Sequence, residues 1–367
     1  MDGLTLGVEE EYFLLHPLTG RPLPWTDRVR KAAGLQPAIS PGEVQQEMLR
    51  CQVEIATPVC HELAEVGGHL LRLRHSLAHA AESVGCRLAA CGTAPFAPVA
   101  PVPVSADARY RALHADAPQL VGEQLICGMH VHVGVPGREA QVAVLNELRP
   151  WLPVLTALSA DSPLWHGGDT GFASWRTIVF SRWPVAGIPP EFADAADYDR
   201  RIHALVEHGM IRDLGQLYWQ ARLSDRYPTI EVRAMDVQLR ADEAVLMAGL
   251  VRALVATALN GRTGRTPTVP RPPESLAAAA WHAARHGTDD QLHHPRTARL
   301  HKVGDIVADL VRHIRPALQD SGDERQVTSL LHRLLQEGNG AHRQRRALAT
   351  GGPRELLRMI TEAGTAA

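Results

Sequence analysis

Leu4-Thr5-Leu6-Gly7-Val8-Glu9-Glu10-Glu11-Tyr12-Phe13-Leu14-Leu15 is an apolar, extended run with three consecutive glutamates, closed by a Pro17–Gly20 turn. This pattern predicts a β-strand. Side chains alternate between the two faces of a strand. Gly7, Glu9 and Glu11 therefore share one face, and Leu6, Val8 and Tyr12 point to the other. Two carboxylates side by side repel each other and are costly to desolvate. They belong on a solvated edge or beside a divalent cation, and this stretch alone favours the solvated edge.

Three more stretches repeat the arrangement. Gln52 to Thr57, stopped by Pro58, sets Gln52, Glu54 and Ala56 against Val53 and Ile55. A lone Glu in an otherwise apolar strand is conspicuous, because charges are rarely buried unpaired. Glu47 lies seven residues earlier and can approach the same place, although a solvated helix residue needs no such role. In Gly128-Met129-His130-Val131-His132-Val133-Gly134, His130 and His132 project together, opposite Val131 and Val133. Such a pair suits a metal or a phosphate, or equally a hydrogen-bonded core. In Thr229-Ile230-Glu231-Val232-Arg233-Ala234-Met235-Asp236, Glu231 and Arg233 share a face. They can pair with each other or across strands, or serve a metal and a phosphate respectively.

The repetition outweighs any single stretch. It predicts one sheet with an apolar back and a front lined by carboxylates, imidazoles and a guanidinium. Oxygen-rich donor sets with a few histidines favour Mg²⁺ or Mn²⁺ over zinc. Carboxylates together with arginines suggest a metal–nucleotide site. Neither GxxxxGK[ST] nor GxGxxG occurs, so no P-loop or Rossmann site is indicated.

The 367 residues are 45% hydrophobic and 21% charged, enough for one large domain or two ordinary ones. With 38 basic and 40 acidic side chains the net charge is −2, which argues against nucleic-acid and membrane partners. Cys51, Cys60, Cys86, Cys91 and Cys127 form no CxxC and are odd in number, so reduced thiols in a cytoplasmic protein are expected. The chain enters its first strand almost at once, so no signal peptide is expected, and no apolar run is long enough for a membrane span.

Apolar spacing predicts an amphipathic helix over 61–85 and another over 138–160, interrupted near Pro150 and Pro153. A strongly apolar helix is expected over 241–259. Residues 42–50 read as a short helix or loop, 93–105 as a surface loop, and 161–195 as irregular, functional-loop territory. The four prolines within 261–274 mark a connection. Helices are expected at about 281–286, 297–315 and 323–337. Strands and helices mix without βαβ alternation, which predicts an α+β fold.

These residues resemble a known family. The Gly7-Val8-Glu9-Glu10-Glu11 opening, the Gln52–Pro58 and Gly128–Gly134 strands, Asp169-Thr170-Gly171-Phe172-Ala173-Ser174-Trp175-Arg176, Thr229–Arg233 and Gly338-Asn339-Gly340-Ala341-His342-Arg343-Gln344-Arg345-Arg346 are similar to the type 2 glutamate–cysteine ligases. The similarity is greatest to the bacterial carboxylate–amine ligase subgroup and covers nearly the whole chain. The resemblance implies a glutamine-synthetase-like catalytic fold, a curved antiparallel sheet cupping the active site and backed by helices. Residues 1–260 would form the catalytic sheet with its helices, 261–274 a connection, and 275–367 a helical part completing the same domain.

It also implies the reaction. ATP phosphorylates a carboxylate, typically the γ-carboxylate of glutamate, and an amine attacks the acyl phosphate. Glu9, Glu11, Glu54, His130 and Glu231 would hold Mg²⁺ or Mn²⁺, with Glu54 and Arg233 catalytic. His132, Arg343 and Arg345 would bind ATP, and Arg176, Arg222 and Glu47 the substrates. The family suggests a homo-oligomer such as a dimer, as does the apolar 241–259 helix. One departure stands out. In Trp219-Gln220-Ala221-Arg222, Gln220 occupies a place where the family usually has Asp, which leaves the amine open. Two other functions share the scaffold: a kinase that stops after phosphoryl transfer, and a non-catalytic nucleotide-binding protein.

Overall fold

Alternation of polar and apolar residues carries the chain into an antiparallel sheet. In the computed structural model, which describes residues 3–261, 271–289 and 291–365, its strands are β1 (Leu6–Leu15), β2 (Val44–Gln46), β3 (Gln52–Ala56), β4 (Arg87–Ala89), β5 (Gly128–Gly134), β6 (Ala221–Leu223) and β7 (Thr229–Asp236). The seven strands follow the order β6-β7-β5-β1-β3-β2, and β4 pairs with the far end of β1. Leu6, Val8, Val53, Ile55, Val131, Val133, Ile230 and Val232 form the buried apolar back. The core continues from this face through the helices as far as Ile360.

The Leu63–Ser83 helix and the Ala241–Leu259 helix back the sheet. The second is buried on nearly every side, packed against the helices Leu63–Ser83, Arg138–Leu148, Val303–Asp320 and Glu324–Glu337. Its apolarity is thus consumed within its own chain and gives no reason to expect a second copy. No helix among the described residues is long and apolar enough to cross a membrane.

Several expectations are corrected. Residues 44–46 are an edge strand, pairing with Ile55, Glu54 and Val53. Val-Gln-Gln carries no alternation of its own, and the pairing supplies the structure. The 138–160 helix breaks as expected, into Arg138–Leu148, a tight turn at Arg149–Trp151 and Leu152–Leu158. Most of the 261–274 connection lies outside the described residues, but Pro273 already starts a helix that runs to His286, a position where proline's missing N–H costs nothing. The helix expected from 297 begins at Val303, because Leu300–Lys302 pairs with Gln291–His293. A further helix, Gly340–Glu362, bends at Gly352, whose φ is +67°.

Glu10 faces the apolar back, where it meets Arg74 of the Leu63–Ser83 helix. Both side chains are fully buried. Arg74 Nε donates to Glu10 Oε2 at 2.9 Å, Arg74 Nη2 donates to the Gln238 carbonyl at 3.0 Å, and the Tyr12 hydroxyl donates to Glu10. The pair ties sheet, helix and the 237–240 turn together. Removing one member leaves a charge buried and unpaired. Arg74→Met is expected to lower unfolding stability by about 3–5 kcal/mol, measured by denaturant titration, and Arg74→Met combined with Glu10→Leu to recover most of that loss. A single variant as stable as the parent would contradict the assignment.

His313 stacks on Trp151 with ring centroids 5.1 Å apart. Burial, helped by Arg296, pushes its imidazole down to about 4. A depressed histidine contributes stability above its unfolded value near 6.5, and that stability is lost as pH falls toward 4. His313→Phe should flatten this slope by about 1 kcal/mol after discounting for partial exposure, read from melts between pH 4 and 7.

Candidate active site

The strand register aligns the polar front. Glu11 sits opposite Glu54, and Glu54 opposite Gln45. Glu9 pairs with His130, His132 with Glu231, and Glu231 with Arg222. Together they floor a cavity of about 1210 Å³, walled by residues from 47–48, 56–59, 109–110, 198–206 and 212–229. Of the residues read from sequence, Glu9, Glu11, Glu47, Glu54, His130, His132, Arg222, Glu231 and Arg233 all line it.

Two donor groups emerge. Glu11, Glu47 and Glu54 bring carboxylate oxygens within 4.8 Å of one another, and so do donor atoms of Glu9, His132 and Glu231. His130 lies between them, with Nδ1 3.1 Å from Glu9 Oε2 and Nε2 3.9 Å from Glu11 Oε1. Glu47 is placed by the 93–105 loop, whose Ser105 hydroxyl donates to the Glu47 carbonyl. It is therefore a wall residue, not part of a solvated helix.

The two groups differ electrostatically. Burial, the neighbouring Glu9, Glu47 and Glu11 all raise the Glu54 carboxyl well above the usual carboxylate range. Burial and Glu11 push Glu47 up to about 7. Three carboxylates converging there, two of them raised, suit a hard divalent cation with oxygen ligands. In the other group burial is overcome. Hydrogen bonds from His130 and His132 hold Glu9 well below its usual range, while Arg233, Arg222 and both histidines do the same for Glu231. Burial and Arg233 lower His130, which keeps it neutral and able to ligate. His132 Nε2 is buried 3.5 Å from Glu9 Oε1, and that carboxylate, outweighing burial, raises the imidazole, with the donor atoms of Glu9, His132 and Glu231 close enough to share one cation. Both donor sets therefore fit a divalent cation.

Arg222 spends its guanidinium on the protein: Nε donates to Glu231 Oε2 at 2.7 Å and Nη1 to the Leu217 carbonyl at 3.1 Å. Arg233 donates to Glu231 Oε1 as well. Arg176, Arg343 and Arg345 do not line the cavity. Arg176 is 3% exposed and packs on Gly128 at the end of the floor. Arg343 pairs with Glu243 at 2.5 Å, and Arg345 with Asp169 at 2.8 Å. Gln220 is also buried off the cavity, its backbone bonded to Gly187 and Arg233. Arg109, Tyr110 and Tyr218 line the wall near Glu47 and escaped the sequence reading. Arg109 and Tyr110 sit on the Ala108–Asp116 helix, whose residues show no apolar face to flag them.

Comparison with known proteins adds the family. Residues 5–362 match the model of glutamate–cysteine ligase family 2. A provisionally named glutamate–cysteine ligase 2-2 of Mycolicibacterium vanbaalenii is 45% identical over 343 residues, 94% of this chain and 93% of that protein. A provisionally named glutamate–cysteine ligase 2-1 of Saccharopolyspora erythraea is 44% identical over 93% of this chain and 89% of its own length. In fold, the chain is similar to the crystal structure of the Francisella tularensis glutamate–cysteine ligase in complex with AMP, with a TM-score of 0.74, 11% identity, and coverage of 99% of this chain and 89% of that one. It is also similar to a bifunctional glutathione synthetase of Pasteurella multocida, with a TM-score of 0.66, 12% identity, and coverage of 99% and 52%. The chain belongs to glutamate–cysteine ligase family 2.

Proposed function

We propose that this ATP-dependent carboxylate–amine ligase uses its cavity to phosphorylate the γ-carboxylate of glutamate, or a carboxylate like it, and to pass the acyl group to an amine. The observation that carries the reading is the pair of donor groups on one sheet face with Arg233 between the walls. A glutamine-synthetase-like arrangement, with the sheet front cupping ATP, fits this geometry. Mg²⁺ or Mn²⁺ held by Glu11, Glu47 and Glu54, and by Glu9, His132 and Glu231, would offset phosphate charge. Phosphoryl transfer needs positioning and charge stabilisation more than a protein nucleophile. Cys127 offers none, since it is buried and burial raises its thiol well above the usual range.

Within this reading Arg233 faces the transferring phosphoryl group. Arg222 holds the Glu231 carboxylate in place. Glu47, beside Tyr110 and Arg109, belongs to the end where substrates would lie. Because Gln220 is off the cavity, its replacement of an acid bears on the amine only indirectly. A cytoplasmic homo-oligomer is part of the same proposal.

The test is ADP release and product mass with ATP, Mg²⁺, glutamate and a panel of amines. Amide and ADP in equal amounts support the ligase. ADP with a stable phosphorylated product and no amide would favour the kinase. No ADP across a broad panel of carboxylates and amines would favour a non-catalytic nucleotide-binding protein.

A further inference from the structure

Beyond the Gly128 end of the floor, on the same sheet face as His130, lies a buried polar network whose members do not line the cavity. Asp236, at the end of β7, accepts from Ser162 Oγ at 2.6 Å and Ser174 Oγ at 2.9 Å. The Arg176 backbone N–H donates to the same Ser162 hydroxyl at 3.0 Å, and Arg176 Nη1 lies 3.9 Å from Asp236 Oδ1. The guanidinium is thus anchored from one side.

Its other side meets the floor. Arg176 Nη2 donates to the Arg233 carbonyl at 3.3 Å, where the β7–β5 register shifts between Val232 and Met235. It also presses on Gly128, where an added Cβ would lie 2.2 Å from Nη2. The Gly128 N–H in turn donates to Glu11 Oε2 at 2.6 Å. Arg176 Nε is buried with no hydrogen-bond partner. A buried guanidinium left incompletely satisfied is expensive to keep, and here it bonds the backbone of one cavity residue, Arg233, and packs on Gly128, which bonds another, Glu11.

We propose that Arg176 is a positioning residue that fixes Arg233 and Glu11 from beyond the end of the cavity, on the same face of the sheet, through the Arg233 carbonyl and the Gly128 backbone. It does not touch substrate. A ladder irregularity such as this one re-aims a side chain, and the fork of Arg176 pins the irregular segment. The inference rests on the ligase reading, in which Arg233 stabilises the phosphoryl group.

The experiment is a double-mutant cycle on the full chain. Arg176→Gln, Arg233→Gln and the double variant would be compared with the parent for kcat and KM by ADP release, and for thermal unfolding. Arg176→Gln should lower kcat on the order of 100-fold with KM for ATP and for the carboxylate within about twofold. The double variant should be no slower than Arg233→Gln alone, because residues acting through one another do not add. Gly128→Ala, which displaces the guanidinium, should give the same kcat loss and serves as the independent variant if Arg176→Gln does not fold. A rise in carboxylate KM alone would make Arg176 a substrate contact and overturn the proposal. Losses that multiply in the double variant, or an unchanged kcat in Arg176→Gln or Gly128→Ala, would also overturn it. A parent that releases no ADP would instead sink the ligase reading itself.

Discussion

Glu54→Gln is expected to lower ADP formation by about a thousandfold while raising the melting temperature of the protein in the absence of divalent metal. Both effects come from the same cause. Glu54 sits opposite Glu11 across the β1–β3 pairing, and Glu47 closes the group within 4.8 Å. Burial and three neighbouring carboxylates raise its carboxyl, so charge here opposes folding unless a cation neutralises it. Replacing one carboxylate with an isosteric amide relieves about 1 kcal/mol of that repulsion and removes a ligand. The sign with pH follows. An acid whose folded value is raised contributes stability at pH below its unfolded value near 4.5, and that contribution is lost as pH rises through the folded value, about 7 for Glu47. The contribution of this carboxylate group to metal-free stability should therefore fall from pH 4.5 to 7.5, opposite in sign to that of His313, Mg²⁺ should restore it most at the upper end, and the difference in stability between Glu54→Gln and the parent should grow with pH. Full turnover by the variant, or a metal-free melting temperature below that of the parent, would refute the assignment.

The floor of this site was legible because a strand has a period of two. One register places Glu9, Glu11, Glu54, His130, His132 and Glu231 on one side and the valines and isoleucines on the other. The period misleads only at Glu10, which follows the rule onto the apolar face but needs Arg74, 64 residues away, to be buried there. Such a partner has no local signature. Arg176, Arg343 and Arg345 show a different limit. They occur in recognisable motifs, yet a motif does not state whether its arginine reaches the cavity. Arg345 binds Asp169 and the Phe172 carbonyl, so it ties together segments 173 residues apart that do not line the cavity. The three-residue β2 carried too few residues for any pattern, and pairing with β3 made it a strand.

Arg233→Gln is expected to produce a kinetic loss of similar size, about 10³-fold in kcat with KM for ATP little changed, as for arginines that contact a phosphoryl group in the transition state. Arg233 lines the cavity, and its Nε is buried without a partner while Nη1 is given to Glu231. Glu231 does not lose its neutralising partner in the variant, because Arg222 keeps both carboxylate oxygens at 2.7 and 3.2 Å. The fold should therefore survive, and circular dichroism with thermal melts would verify it. Arg233→Lys separates charge from geometry. An ammonium keeps the positive charge but cannot bond Glu231 and a phosphate oxygen in one plane. If the fork matters, Lys should recover less than a tenth of the lost rate. If charge alone matters, Lys should restore most of it. Retention of parent-like kcat by Arg233→Gln would remove Arg233 from the chemistry and leave the two carboxylate groups to act without it.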